Sequence, residues 1–120
     1  NQGVECVLDT LEHGFGGEII VPKLRSFEII DLAKAMNSKN KIKFIGIRPG
    51  EKIHEQMISS SDSYSSIEMK KYYAILPQDN TKILSFYRKK FKSKKVKNGF
   101  EYSSNNNGKF LTVKEIQKII

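Results

Sequence analysis

Two charged residues on either side of a Pro-Gly pair, Arg48 and Glu51, are the best candidates for chemistry in this sequence. Proline fixes its own φ and glycine accepts a positive φ, so Pro49 and Gly50 suit the centre of a tight turn. Both charged side chains would then leave the turn at nearly one place. A guanidinium there can bind phosphate oxygens through paired hydrogen bonds, and a carboxylate can accept hydrogen bonds from ribose hydroxyls. The spacing predicts a nucleoside diphosphate site, with an ordinary surface turn and an Arg–Glu pair as the alternative.

The segments around this turn are predicted to be a strand before it and a helix after it. The apolar run Lys41–Ile47 predicts the strand, and the helix is expected to start at Glu51 and end near Ser59. In an α/β sheet, ligands bind outside the carboxyl ends of the strands, and a helix N-terminus offers free N–H groups to an anion. Both expectations favour an anionic ligand at the turn.

Periodic apolar residues predict two helices and a strand before this region. The first helix spans Gln2–His13, a short strand spans Glu18–Val21, and Ser26 caps the second helix. Because helices and strands alternate, the order favours an α/β fold with a parallel sheet covered by helices. The apolar stripes expected to face the core are Val4, Val7, Leu8 and Leu11 on the first helix, and Ile29, Leu32, Ala33 and Met36 on the second.

The second half of the chain contains shorter predicted elements. A serine-rich stretch, Ser59–Ser66, is expected to be a solvated loop, and a β segment follows over residues 67–76. Apolar spacing predicts a helix over Lys82–Phe91. Thr112 and Glu115 have the spacing of a capping box, which predicts the start of a final helix.

Composition limits the classes of protein to which the chain can belong. Its 120 residues suffice for one domain, and its single cysteine, Cys6, excludes an internal disulfide and a cysteine zinc site, which fits a reducing compartment. No apolar run approaches the roughly 20 residues needed to span a bilayer. No signal peptide is visible, but the chain starts with Asn1, so we expect a C-terminal piece of a longer protein, with a small free-standing module as the alternative.

The net charge of +8 is concentrated in one segment. Residues 88–97 contain seven basic residues and no acidic ones, so the rest of the chain carries only +1. Basic residues interleaved with aromatic residues are typical of nucleic-acid binding, and a solvated helix face followed by a loop gives the same pattern. We favour the solvated face, because no helix-turn-helix, zinc or RNA-binding motif accompanies the segment.

Several catalytic and cofactor motifs are missing from the sequence. The glycines Gly14, Gly16 and Gly17 follow a predicted helix and precede a predicted strand, which is the wrong order for a dinucleotide-binding turn. No Walker lysine motif is present, and no His, Cys and Asp residues have metal-ligand spacing. The residues alone predict a binding turn without catalytic or metal-binding residues.

Four stretches, in order along the chain, carry a resemblance to a known family. They are Gly16–Lys23, Asp31–Ala35, Gly46–Glu55 followed by Met57-Ile58, and Phe100–Asn107 followed by the closing helix. They resemble the C-terminal third of the nucleotide-sugar dehydratases in the extended short-chain dehydrogenase/reductase superfamily. The third stretch is the most specific. The fourth points to the configuration-inverting UDP-N-acetylglucosamine 4,6-dehydratases of bacterial pseudaminic acid and surface polysaccharide synthesis.

The resemblance implies that residues 1–120 form the C-terminal substrate-binding region of an extended Rossmann-type enzyme, with short strands alternating with helices. NADP would be bound by an N-terminal Rossmann half, and the catalytic Tyr–Lys pair would lie there too. The intact lyase would take a hydride from sugar C4, eliminate water across C5–C6 and return the hydride to C6. By position in the motif, Arg48 would contact the diphosphate of UDP-N-acetylglucosamine and Glu51 its uridine ribose. Lys23 and His54 would lie around them.

The resemblance also implies that the intact enzyme is a cytoplasmic homo-oligomer and that this chain is inactive alone. It predicts neither a nucleic-acid partner nor a membrane partner. Three alternatives remain at this stage: a fragment of a UDP-sugar 4-epimerase of capsule synthesis, a basic nucleic-acid-binding module, and a degenerate gene product. The residues that would separate dehydratase from epimerase are expected upstream of the sequence.

Overall fold

The computed structural model describes residues 2–39, 41–77, 81–108 and 110–120, and the chain divides into two compact units. The first unit contains residues 1–23 and 56–102, and the second contains residues 24–55 and 103–120. The elements, in chain order, are α1 (Gln2–His13), β1 (Ile19–Pro22), α2 (Ile29–Met36), β2 (Gln56–Ile58), a 3-10 helix (Asp62–Ser65), β3 (Ser66–Glu68), β4 (Tyr72–Ile75), α3 (Thr81–Phe91), β5 (Lys94–Lys95), β6 (Tyr102–Ser103) and α4 (Val113–Ile116). This mixture of helices and strands confirms the α/β class.

A four-stranded antiparallel sheet with the order β1-β4-β3-β5 organises the first unit. β3 and β4 form a hairpin in which Ile67 lies opposite Ala74, and β4 also pairs with β1. The predicted parallel sheet is therefore wrong. The hairpin returns the chain beside its own preceding strand, and β1 adds to the free side of β4 with the opposite direction.

Both faces of this sheet are covered, because side chains alternate between the two faces along each strand. One face packs against α3 through a buried cluster made of Ile67, Met69, Ala74, Leu76, Ile83 and Tyr87. On the other face, Tyr73 and Ile75 pack against a second cluster of Val21, Ile58 and Tyr102. Ile58 belongs to β2, which pairs with β6 in a separate two-stranded sheet.

Two predicted helices have the expected positions but not the expected burial. The structure has α1 over Gln2–His13, as predicted, yet the four stripe residues of α1 are 58–79% exposed and only Cys6 is buried. In α2, Ile29 and Met36 are about 70% exposed, and Ala35 is the buried residue. The expectation that these stripes face a core is wrong for the α1 stripe and for Ile29 and Met36, whereas Leu32 and Ala33 are half-buried.

Two local predictions fail because serine hydroxyls form hydrogen bonds that the sequence pattern does not indicate. Ser26 does not cap α2, whose N-cap is Glu28 without a side-chain hydrogen bond; the Ser26 hydroxyl accepts a hydrogen bond from Asn107 Nδ2 at 2.8 Å instead. The serine-rich stretch is not a solvated loop. It contains the 3-10 helix, and Ser63 and Ser66 are almost fully buried, with hydroxyls that donate to backbone carbonyls.

The predicted capping box at the start of α4 is confirmed. The Thr112 hydroxyl accepts the Glu115 N–H, and the Glu115 carboxylate accepts the Thr112 N–H at 2.9 Å. Glu115 also binds the guanidinium of Arg25 at 2.7 Å. Its carboxylate thus joins the start of α4 to the segment that precedes α2 within the second unit.

We expect Ile58→Ala to lower the free energy of unfolding by about 2–5 kcal/mol, because Ile58 is 0% exposed and its truncation leaves a cavity between Val21 and Tyr102. Urea denaturation followed by circular dichroism measures this change. Ile119→Ala is the matched control, since Ile119 is 70% exposed and its truncation should change stability by less than about 0.5 kcal/mol. Equal effects of the two substitutions would contradict the position assigned to Ile58.

Hydrogen bonds from the Thr112 amide, then from the Arg25 guanidinium and the Thr112 hydroxyl, lower the pKa of Glu115 from 4.5 to about 2. The carboxylate therefore contributes stability above pH 4.5, and this contribution is lost as the pH falls through about 2. Carbon-detected NMR titration of the Glu115 carboxyl should show the low midpoint, and Arg25→Ala should raise it. Arg88→Ala, which removes a cation outside this network, should leave the midpoint unchanged. A midpoint at 4.5 in the unmodified chain would refute the network.

Candidate functional site

The predicted tight turn at Arg48–Glu51 is confirmed. The Glu51 N–H donates to the Arg48 carbonyl oxygen at 3.0 Å, which closes the turn across Pro49 and Gly50. Gly50 has a φ of 84°, a conformation that glycine adopts without the strain that a Cβ would add. The Arg48 N–H donates in turn to Glu51 Oε2 at 2.8 Å. The turn is therefore held by one backbone and one side-chain hydrogen bond.

This arrangement leaves the charge of Arg48 without a partner. Arg48 is exposed, and its guanidinium forms neither an ion pair nor a hydrogen bond within the described residues. Glu51 uses one carboxylate oxygen, Oε2, to accept the backbone N–H of Arg48, while Oε1 has no partner in the same set. The surface Arg–Glu ion pair that was the alternative to a ligand site does not form in this part of the chain. The turn presents a free guanidinium and a free carboxylate oxygen.

The elements predicted on either side of the turn are absent. Lys41–Ile47 forms no strand and no backbone hydrogen bond with the described residues. A strand forms only when its backbone groups pair with a neighbouring strand, and no described strand pairs with this segment. No helix starts at Glu51; the chain stays irregular to Glu55 and enters β2 at Gln56. The expected contribution of a helix N-terminus to anion binding is therefore wrong.

An open basin of about 1400 Å³ in the second unit brings the two turn residues together with apolar side chains. Arg48, Glu51 and the irregular apolar segment that precedes them line this basin. Ile29, Ile30 and Ala33 of α2 form an apolar wall of the same basin. The apolar periodicity of α2 is the sequence signal for this wall, although periodicity alone predicts a face turned to a core. A charged turn beside an apolar wall is suited to a ligand with both phosphate and ring groups.

His54 also lies in the second unit and contacts Ser104, which was not predicted as a site residue. It is exposed, and its Nδ1 lies 3.3 Å from the hydroxyl oxygen of Ser104. That oxygen accepts the N–H of Glu55 at 3.1 Å, and the Ser104 N–H donates to the Glu55 carbonyl at 2.9 Å. The loop of the fourth family-like stretch therefore fixes the chain just after the Arg48–Glu51 turn.

Lys23, the remaining predicted site residue, belongs to the first unit. Its ammonium lies 2.6 Å from the carboxylate of Glu68 and 4.7 Å from the centre of the Tyr73 ring. Its charge is therefore already balanced by a carboxylate and an aromatic face. A contact between Lys23 and a ligand remains a prediction.

The glycine-rich segment before β1 is closed by a side chain. Glu18 accepts hydrogen bonds from the N–H groups of Phe15 and Gly16, both at 2.8 Å, and from the hydroxyl of Tyr87. Partial burial alone would raise the pKa of Glu18, but these hydrogen bonds together lower it. The amides that could bind a dinucleotide phosphate are thus occupied by a carboxylate. The residues of this segment do not fit NADP.

The basic segment 88–97 covers the last turn of α3 and the edge strand β5. Its seven cations are absent from the ion pairs formed by the described residues. Lysines on an edge strand oppose pairing with another sheet, which gives Lys94 and Lys95 a structural role. Across the described ranges, no three His, Cys, Asp or Glu side chains are grouped to hold a metal ion, and no helix has the length and apolar character needed to cross a membrane.

Comparison with known proteins identifies the family. The family described as "Polysaccharide biosynthesis protein" matches residues 1–77, which include α1, β1, α2, the Arg48–Glu51 turn and the β3–β4 hairpin. The chain belongs to this family. The match covers the three family-like stretches that precede the basic segment, so it supports the resemblance that the sequence suggested.

Individual relatives extend over nearly the whole chain. A Campylobacter jejuni protein named UDP-N-acetylglucosamine 4,6-dehydratase (inverting) is 46% identical over 98% of this chain and 36% of its own length. A Rickettsia akari protein named UDP-glucose 4-epimerase is 40% identical over 98% of this chain and 35% of its own length. The chain thus spans about a third of the length of these curated relatives.

A solved structure shares the fold of the chain. The X-ray structure of Pen from Bacillus thuringiensis superimposes with a TM-score of 0.73 over 94% of this chain and 33% of that chain, at 23% identity. This match confirms the fold.

Proposed function

We propose that this chain is the C-terminal substrate-binding region of an inverting UDP-N-acetylglucosamine 4,6-dehydratase. The observation that carries the proposal is the 46% identity, over 98% of the chain, to the Campylobacter relative of that name. A UDP-glucose 4-epimerase is the second candidate, because the Rickettsia relative matches the same extent at 40%. Both candidates bind a UDP-sugar, so the role of the turn is common to them.

The free groups of the turn support binding of UDP. Arg48 would bind the diphosphate, since its guanidinium has no partner among the described residues and its planar geometry pairs with two phosphate oxygens. Glu51 would accept a hydrogen bond from a ribose hydroxyl through Oε1, the oxygen that the turn does not use. Lys23 and His54 are proposed to lie near the bound nucleotide-sugar.

The exposed apolar side chains support a place within a larger enzyme. The α1 stripe and Ile29, Phe44 and Ile45 are all more than half exposed, which is unusual for so many large apolar side chains in a chain of this size. The relatives are about three times as long as the matched region. We propose that the part of the enzyme corresponding to the unmatched length covers these side chains and completes the open basin.

The same proposal assigns NADP and the catalytic residues to that other part of the enzyme. The glycine-rich segment of this chain does not fit the cofactor, because Glu18 occupies the amides of Phe15 and Gly16. This chain would therefore bind and orient the UDP-sugar but be inactive alone. The intact enzyme would be a cytoplasmic, homo-oligomeric lyase without a nucleic-acid or membrane partner; the single cysteine agrees with that compartment.

We expect UDP to shift the backbone NMR signals of residues 48–55, and Arg48→Ala to weaken UDP binding by about ten- to a hundredfold. The expected size follows from the about 1.5–3 kcal/mol that a hydrogen bond to a charged group contributes. Arg48→Lys should give an intermediate affinity, because an ammonium keeps the charge but loses the paired geometry. The titration of the chain with UDP measures all three affinities.

Arg88→Ala is the matched control for this titration. Arg88 is an exposed arginine of α3 that has no ion pair within the described residues, so its loss tests the effect of net charge alone. Equal weakening by Arg48→Ala and Arg88→Ala would mean that UDP binds through general electrostatics. Unchanged affinity in Arg48→Ala would remove Arg48 from the site.

A fusion protein separates the dehydratase from the epimerase. We expect the part of the Campylobacter relative that this chain does not match, joined to this chain, to consume UDP-N-acetylglucosamine and release a dehydrated sugar nucleotide. The corresponding fusion with the Rickettsia relative should convert UDP-glucose poorly. The reverse pattern, measured by mass spectrometry and NMR of the products, would favour the epimerase. A fusion that folds but has Arg48→Ala should show a raised KM.

A further inference from the structure

Ser103, the last residue of β6, and the loop that follows it to Asn107 form a set of hydrogen bonds within the second unit. Ser104 lies between two neighbouring residues of the turn segment: its hydroxyl oxygen is 3.1 Å from the Glu55 backbone nitrogen and 3.3 Å from His54 Nδ1. Its own N–H donates to the Glu55 carbonyl at 2.9 Å. Three contacts thus join one serine to the residues that follow the Arg48–Glu51 turn.

The atoms of the Ser104 hydroxyl group limit the hydrogen bonds that it can form. A serine hydroxyl has one proton to donate and two lone pairs to accept with. The Glu55 N–H can only donate, so it uses a lone pair of Ser104 Oγ. The hydroxyl proton and the second lone pair remain, and His54 Nδ1 lies 3.3 Å away, so the tautomer of the imidazole decides which of these two atoms donates. A neutral imidazole that accepts at Nδ1 carries its own proton on Nε2.

We propose that Ser104 is a positioning residue that holds His54 as the Nε2–H tautomer, so that this nitrogen can donate to an oxygen atom of the bound UDP-sugar. His54 is exposed, and Nε2 has no hydrogen-bond partner within the part of the chain that the structure describes. The Nε2–H group of His54 is thus free to donate, and His54 follows Arg48 by six residues along the chain. The donation from Nε2 to the UDP-sugar, which is the ligand half of this inference, rests on the proposed function. The selection of the tautomer by Ser104, which is the tautomer half, does not.

The rest of the loop explains how Ser104 keeps its place. Asn106 Oδ1 accepts the Ser103 N–H at 2.8 Å, which closes the loop on itself. Asn107 Nδ2 donates to the Leu24 carbonyl at 3.0 Å and to the Ser26 hydroxyl at 2.8 Å. The loop is therefore fixed on both sides of Ser104 within the second unit. This fixed position is what a residue needs in order to select one tautomer of a neighbouring imidazole.

Nitrogen-15 NMR of the two histidines tests the tautomer directly. In spectra of the neutral imidazole, we expect His54 to show a protonated Nε2 and an unprotonated Nδ1. Ser104→Ala should convert His54 to an averaged mixture of tautomers, and Ser104→Thr, which keeps the hydroxyl, should restore the single form. His13 serves as an internal reference, since the chain has only two histidines. Ser38→Ala is the control, because Ser38 is exposed and makes no hydrogen bond in the described set.

Addition of UDP and UDP-N-acetylglucosamine to the same samples tests the ligand half. We expect one of them to shift the Nε2 signal of His54, and Ser104→Ala to weaken its binding by about two- to tenfold, as the loss of one hydrogen bond does. Ser104→Thr should restore the affinity. A merely structural role for Ser104 would reduce affinity without any change of tautomer.

The outcomes distinguish this inference from the proposed function. The same tautomer mixture in the unmodified chain and in Ser104→Ala would overturn the role of Ser104, whatever UDP does. A single tautomer together with ligand shifts at Arg48 but none at His54 would overturn the donor role and leave the proposed function intact. Shifts at neither residue would contradict both the proposed function and the donor role, while the tautomer measurement would still support the positioning by Ser104.

Discussion

The burial of Ile58 determines where the candidate site ends and the sheet begins. The side chain of Ile58 is 0% exposed and packs in one buried cluster with Val21 and Tyr102. This packing fixes the position of β2 within the first unit. Three residues earlier, Glu55 is joined to Ser104 through both its N–H and its carbonyl group. Burial of an isoleucine contributes about 1.5–3 kcal/mol, more than the helix propensity of the few residues before it. The chain therefore forms a strand at Gln56–Ile58, and residues 51–55 are irregular rather than helical.

The distribution of carboxylates explains why the charge of Arg48 stays free. Lys23 and Arg25 pair with carboxylates from distant segments, Glu68 and Glu115, and Lys34 pairs with Asp31 on its own helix. Glu51 is the acidic residue nearest to Arg48 along the chain, but its carboxylate accepts the Arg48 backbone N–H and so stabilises the turn. The Arg48 guanidinium therefore has no ion pair among the described residues. Under the proposed function, this charge binds the diphosphate of the UDP-sugar.

Sequence reasoning predicted the features whose causes lie within a few residues. The turn at Pro49-Gly50 follows from the φ preferences of two adjacent residues, and the capping box follows from Thr112 and Glu115 three positions apart. The bounds of α1 follow from periodicity and the glycines after it. The antiparallel sheet and the position of β2 depend on partners far away in sequence, and no local pattern specifies those. Ser104 was missed for the same reason, because its partner His54 lies 50 residues earlier.

The apolar stripes show what amphipathic periodicity can and cannot establish. The pattern of α1 is real, since the helix forms with the predicted bounds, yet Leu11 is 79% exposed and Val4 is 64% exposed. Periodicity reports that one face of a helix is suited to burial; it does not say which surface buries it. The same holds for the apolar segment before Arg48, which has the composition of a strand but no strand partner among the described residues. Under the proposed function these two observations have one cause. The sequence carries the patterns of a larger enzyme, and the surfaces that would satisfy them correspond to the two thirds of the relatives' length that this chain does not match.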